Sequence, residues 1–219
     1  MDNKKRLAIL VSGSGTNLQA IIDAIKTNKL ENTEISIVIS SREDAYALKR
    51  AEKESIKNVF VNPRDFQTSV DFDKKIVGVL NNHQIDLIVL AGYMRILNKI
   101  VVDAFPNKII NIHPALLPDF GGKGMYGEKV HAAVLKSKVK ESGCTVHFVT
   151  NEVDSGPIIA QKKVPVLESD TVETLQKRVL EQEHKLLVEA IRKVLFSSRH
   201  CEEVQRTDEA INLLTYLVI

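Results

Sequence analysis

An α/β fold with a mostly parallel sheet is what the sequence predicts, and three observations carry the prediction. Short runs rich in β-branched residues alternate with longer amphipathic segments through the first half of the chain. Those runs are apolar almost throughout, as strands covered by helices on both faces are. The last two runs are joined only by "NEVDSG", a connection of hairpin length, so that part of the sheet is expected to be antiparallel. Together these give a single domain with a Rossmann-like sheet, helices on both faces and an antiparallel portion near the C-terminal strands.

Taken in order, "RLAILV" (6–11), "EISIVIS" (34–40), "NVFVN" (58–62), "DLIVLAG" (86–92) and "KIINIH" (108–113) read as strands. Between them, "NLQAIIDAIKTN" (17–28), "DAYALKRAEKES" (44–55) and "DFDKKIVGVLNNH" (71–83) read as helices. After His113 the pattern changes to a proline- and glycine-rich loop, "PALLPDFGGKGMYG", followed by a helix over 128–137. Strands "CTVHFVT" (144–150) and "GPIIAQKKVPV" (156–166) come next, and a long helix over 171–196 covers the sheet. The charged stretch "KSKVKESG" reads as a solvated helix end. Residues 1–196 are expected to form the domain, with 197–219 a C-terminal tail whose apolar end needs a partner.

The 219 residues carry 30 basic and 28 acidic side chains, a formal net charge of +2 that gives no case for nucleic acid or a membrane surface as partner. Cys144 and Cys201 form neither a disulfide framework nor a metal spacing, which suits a reducing compartment. The N-terminal apolar patch, 7–11, lacks the length and cleavage site of a signal peptide, and no apolar run approaches the ~20 residues of a membrane span. A soluble cytoplasmic protein is expected.

Four segments could carry chemistry. "VSGSGTNLQ" (11–19) joins the first strand to the first helix, with Gly13 and Gly15 for tight geometry and Thr16 and Asn17 as helix caps. A helix N-terminus there suits a single phosphate, since the third glycine of a dinucleotide fingerprint is replaced by Leu18 and the P-loop lysine is absent. A plain glycine turn with a good cap fits the same residues. In "KIINIHP" a period of two puts Ile109, Asn111 and His113 on one face, and Pro114 holds His113 extended at the strand end. Ligands bind beyond the carboxyl ends of such strands, where a carboxamide beside an imidazole suits a carbonyl becoming tetrahedral. A capped strand with a satisfied histidine is the alternative. Asp154 in "TNEVDSGPI" is ordinary turn chemistry unless it reaches His113, where a carboxylate would raise the imidazole pKa and keep the ring charged. "AGYMRILN" (91–98) follows the fourth strand, so Met94, Ile96 and Leu97 could line an apolar slot or simply pack a loop. His147 alternates with core residues and suits either a core role or support of the site. His83, His131, His184 and His200 show no convincing metal-ligand spacing.

With these segments in order, the chain resembles the phosphoribosylglycinamide formyltransferases, the folate-dependent family of purine biosynthesis. The resemblance covers about 7–196 and is carried by "SGSGTNLQAIIDA", "VLAGYMRIL", "NIHPALLP", "GCTVHFVTNEVDSGPIIAQ" and "QEH". It implies a one-carbon transferase that moves the formyl group of 10-formyltetrahydrofolate, as co-substrate and without a metal, to the amine of glycinamide ribonucleotide. It further implies Asn111, His113 and Asp154 as catalytic residues, and Gly15, Thr16, Asn17 and Glu183 as contacts to the nucleotide substrate. Met94, Arg95, Ile96, Leu97, Asn111, Thr150, Asn151, Glu152, Val153 and Asp154 are implied in folate binding. A monomer or homodimer acting on small molecules is expected. The resemblance leaves open whether Arg64 reaches the folate, since Ser69 falls at the family's arginine position. A methionyl-tRNA formyltransferase is expected to have a second, RNA-binding domain downstream, and a formyltetrahydrofolate hydrolase an extra N-terminal domain. A non-catalytic phosphate-ligand sensor on the same fold would have no use for an acid beside a carboxamide.

Overall fold

Each of the seven apolar runs forms a strand, and each expected helix is present. The computed structural model describes residues 4–196; the expected tail lies outside the described residues. The strands are β1 (Lys5–Val11), β2 (Thr33–Ser40), β3 (Asn58–Phe60), β4 (Leu87–Leu90), β5 (Ile109–His113), β6 (Glu141–Phe148) and β7 (Ile158–Pro165). They form one sheet in the order β3-β2-β1-β4-β5-β6-β7. The pairings from β3 to β5 are parallel, and those of β5 with β6 and β6 with β7 are antiparallel. The helices are α1 (Thr16–Lys26), α2 (Tyr46–Lys53), α3 (Ser69–Asn81), α4 (Lys99–Ala104), α5 (Glu128–Ser137) and α6 (Val172–Phe196).

Strand composition follows from burial on both faces. Leu7, Ile9 and Val11 of β1 pack with α1 and α6 through Leu18, Ile21, Leu187 and Ile191. Ala8 and Leu10 point the other way, into a second core with Phe72, Ile76 and Leu80 of α3 and Val101 of α4. Each such fully buried Leu or Ile contributes roughly 1.5–3 kcal/mol. Strand β5 obeys the same alternation: Ile110 and Ile112 join the first core and Ile109 the second. Asn111 and His113 continue the Ile109 face to the point where β4 stops, since Leu90, the last residue of β4, pairs with Asn111.

Three local departures from the sequence reading have plain causes. Helix α4 was not expected; "KIVVDA" is too short to display a helical period. Strand β3 ends at Phe60 because Pro63 opens a 3-10 turn over Pro63–Asp65, whose N-cap Asn62 side chain accepts from Arg64 N–H. Strand β6 begins at Glu141, before the apolar run, because Glu141, Ser142 and Gly143 pair with Pro165, Val164 and Lys163 of β7. Among the described residues no helix is long and apolar enough to cross a membrane.

Candidate active site

The chain leaves β1 towards β2 on one side and reaches β4 and β5 on the other, so a crevice opens beyond the carboxyl ends of β1 and β4. The glycine loop enters it first. Gly15 has φ +72°, and a Cβ there would lie 2.6 Å from Ala47 Cβ, so only glycine fits. Gly15 itself is the N-cap of α1, with no side-chain hydrogen bond. This corrects the expectation that Thr16 and Asn17 cap the helix: Thr16 is already its first residue, and the Asn17 amide donates instead to Glu183 Oε2 at 2.8 Å. The first N–H groups of α1 are therefore left without a side-chain acceptor, as an anion seat requires. Arg50 steadies the loop by donating to the Ser14 carbonyl at 2.9 Å. Ser12 Oγ lies 2.8 Å from Ser41 Oγ and accepts the Met94 N–H at 3.0 Å, which ties together the loops after β1, β2 and β4. Glu183, 8% exposed, has its carboxyl pushed above the usual range by burial, against the pull of Asn17.

The loop after β4 and the turn after β6 form the opposite walls. Asp73 on α3 accepts from the Asn98 backbone N–H at 2.7 Å and its side chain at 2.8 Å, pinning the far end of the β4 loop. Met94 and Ile96 stay exposed, Leu97 is buried in the second core, and the Arg95 guanidinium lies 4.6 Å from the centre of the Phe72 ring. Thr150, Asn151, Glu152 and Val153 line the facing turn. Arg95 lines the cavity and Arg64 does not; the Arg64 backbone is bound to Asn62 on the 3-10 turn.

At the floor four side chains converge. Antiparallel register sets Asn111 opposite His147 and His113 opposite Thr145 on one face. Asn111 Nδ2 lies 3.1 Å from His147 Nε2. The other nitrogen, Nδ1, lies 2.8 Å from the Phe148 carbonyl, which only accepts, so Nδ1 carries a proton. With that as the ring's one proton Nε2 accepts from Asn111, and with a second proton Nε2 donates towards Asp154. Asp154 Oδ2 stands 3.6 Å from His113 Nδ1, and its Oδ1 3.5 Å from His147 Nε2. The Gly122 N–H donates to Asp154 Oδ2 at 2.9 Å. Gly121 allows this approach, since a Cβ there would meet Leu117 Cδ2 at 2.5 Å and Asp154 Cβ at 3.3 Å. His113 Nε2 donates to the Phe120 carbonyl at 2.8 Å, so Nδ1 of the neutral ring is the unprotonated nitrogen facing Asp154.

The charge on His113 differs from the expectation. Burial lowers its pKa, outweighing the Asp154 carboxylate and the Phe120 carbonyl, which both raise it. Burial therefore favours a neutral ring, where the sequence reading had Asp154 holding it charged. Asp154 lies below the usual carboxylate range: burial pushes it up, but His147, the His113 ring and the Gly122 N–H together pull it further down.

A cavity of about 740 Å³ joins these parts. Gly15, Thr16, Asn17, Met94, Arg95, Ile96, Leu97, Asn111, His113, Thr150, Asn151, Glu152, Val153, Asp154 and Glu183 all line it. The sequence reading assigned nothing to Ser12, Arg42, Tyr93, Lys123 or His131, which line it too. Ser12 and Tyr93 sat within segments read for chemistry and Lys123 within the glycine-rich loop, whereas nothing local signalled Arg42 or His131. Among the described residues no group of three or more His, Cys, Asp or Glu has the geometry to hold a metal ion.

Comparison with known proteins gives the same picture. The Formyl transferase family profile matches residues 5–191. A phosphoribosylglycinamide formyltransferase of Haemophilus influenzae is 41% identical over 182 residues, 83% of this chain and 83% of that protein. The chloroplastic phosphoribosylglycinamide formyltransferase of Arabidopsis thaliana is 42% identical over 190 residues, 86% of this chain, which spans only 64% of its length. The crystal structure of glycinamide ribonucleotide transformylase 1 from Symbiobacterium toebii superposes with a TM-score of 0.82 at 45% identity, covering 88% of each chain. The ordered glycine loop, the Asn111–His113 strand end and the match over residues 5–191 lead to one assignment: the chain belongs to the formyl transferase family.

Proposed function

We propose that this chain transfers the formyl group of 10-formyltetrahydrofolate to the primary amine of glycinamide ribonucleotide, by direct attack and a tetrahedral intermediate. The observation that carries the reading is the convergence of Asn111, His113 and Asp154 at the floor of a cavity with an anion seat at one end and an apolar-rimmed slot at the other. The acceptor's phosphate takes the free N–H groups at the start of α1, and its ribose lies along Glu183. The folate lies between Met94–Leu97 and the Thr150–Asp154 turn, with Met94, Ile96 and Val153 as apolar contacts.

The residue types set the chemistry. As the amine attacks the formyl carbon, charge develops on the formyl oxygen. Asn111 gives one amide hydrogen to His147 and has the other free for that oxygen. The amine must shed a proton and the folate nitrogen must gain one as its bond to carbon breaks. His113 supplies the second from Nε2, whose proton the Phe120 carbonyl accepts in this structure. The proton shed by the amine reaches Nδ1 through water, so the ring passes through the doubly protonated form and ends neutral. Phe120, at φ +55° and followed by Gly121 and Gly122, is the partner that a bound ligand displaces. When the ring is doubly protonated, Nδ1–H faces Asp154, which balances the charge and organises water for the proton leaving the amine.

The test is detection by mass spectrometry of N-formylglycinamide ribonucleotide made from the two substrates, with His113→Ala as the control. Loss of a general acid of this kind costs about 10²–10⁴-fold in turnover. Near-wild-type turnover in a folded His113→Ala protein would overturn the assignment of roles.

A further inference from the structure

His131 has no part in the chemistry above, yet it lies in the wall of the same cavity. It sits on α5 between Val130 and Val134 of the core region and is 1% exposed, and its Nδ1 has no hydrogen-bond partner. A histidine serving structure alone can bond a nearby helix carbonyl: His83, in the turn just after α3, places Nδ1 2.8 Å from the carbonyl of Val79. His131 does not use it. Among the described residues five buried side-chain polar atoms lack a partner, and three of them, Asn17 Oδ1, Tyr93 Oη and His131 Nδ1, belong to residues lining this one cavity. Buried polar groups are nearly always paired, so a shortage gathered around one cavity marks groups whose partners arrive with a ligand.

The position of His131 indicates which ligand. Its helix packs on α6, which carries Glu183, and Glu183 is bonded to Asn17 beside the anion seat. The ring is also near enough to His113 for a charge there to oppose its own protonation. His131 thus stands along the wall that joins the seat to the reacting centre. Tyr93 lies on the loop after β4, where Asp73 and Arg95 are its charged neighbours.

We infer that His131 is a substrate contact, hydrogen-bonding the polar body of the acceptor between its phosphate and its amine. This rests on the proposed reaction. The ring suits a hydroxyl or amide rather than a phosphate: burial pushes its pKa down to about 4, so at neutral pH it offers one donor and one acceptor and no charge.

The experiment is calorimetric titration of glycinamide ribonucleotide into wild-type protein and His131→Phe, with steady-state kinetics on both. Phenylalanine keeps the buried ring and removes both nitrogens; His131→Gln, which keeps a donor and an acceptor, is the second variant. Folding is checked by thermal melting. The expected result is acceptor affinity about tenfold weaker in His131→Phe, as loss of one such bond implies. KM for 10-formyltetrahydrofolate should stay within twofold, and His131→Gln should recover part of the loss. Unchanged acceptor affinity overturns the inference. Equal weakening of both substrates, or failure of both variants to fold, also overturns it, because the role is then structural. Wild-type protein that neither binds nor formylates glycinamide ribonucleotide would instead refute the proposed reaction.

Discussion

Asp154→Asn isolates the charge behind His113 with little change of shape. The asparagine oxygen can keep the 2.9 Å bond from the Gly122 N–H, and the side chain has the same size. What disappears is a negative charge 3.6 Å from His113 Nδ1. At an effective dielectric of about 20, two unit charges at that separation attract by roughly 4–5 kcal/mol, an upper bound because His147 and entering water share the carboxylate. If half to most of it acts on the imidazolium form used in the transfer, the loss is about 2–4 kcal/mol, or roughly 30–10³-fold in kcat. The assay is stopped-flow or steady-state turnover with both substrates saturating. An NMR titration of His113 should show its pKa, already lowered by burial, falling further in the variant. Turnover within fivefold of wild type in a folded Asp154→Asn protein, with an unmoved His113 titration, would refute the pairing.

Other outcomes follow from the same geometry. Gly15→Ala forces a Cβ to 2.6 Å from Ala47 Cβ at φ +72°, so stability should fall by about 1–3 kcal/mol and KM for the acceptor should rise; an unchanged melt and KM would count against the loop reading. His147→Leu removes the partner that orients the Asn111 amide and should lower kcat by about tenfold at nearly unchanged KM values, whereas an unaltered kcat would show that Asn111 needs no such partner. His131 titrates at about 4 in the fold against an ordinary value of 6.5. Above pH 6.5 both states are neutral at this residue, and below it the unfolded chain takes up a proton that the folded site refuses. Wild type should therefore lose up to roughly 3 kcal/mol relative to His131→Phe between pH 6.5 and 4, measured by denaturant unfolding; a constant difference would contradict the buried neutral ring.

What could be read from the sequence follows the physics of each element. The parallel strands were legible because burial on both faces leaves an apolar run, as in "LIVL" of β4. The strand-end placement of Asn111 and His113 was legible for a similar reason, since a period of two and a following proline fix both. Asp154 was different: its contact with His113 depends on how the turn after β6 folds back and on the close packing of Gly121, neither of which is local. The pairing of Asn111 with His147 depends on the register of β5 against β6, and no periodicity within one strand reports that. The protonation of His113 was misread because a carboxylate neighbour is visible as a residue type, whereas the depth of burial opposing it is a property of the assembled fold. The caps of α1 were misread because Thr16 and Asn17 favour that role in isolation, and Glu183, distant in sequence, claims the Asn17 amide.

Acceptor dependence tests the central claim most directly. Purified protein is given 10-formyltetrahydrofolate with and without glycinamide ribonucleotide, and tetrahydrofolate release is followed by absorbance. Asn111 and His113 acting on an amine positioned by the glycine loop should release tetrahydrofolate only when the acceptor is present, mole for mole with formylated product. Release at a similar rate without the acceptor would mean that water is the nucleophile and would contradict the account.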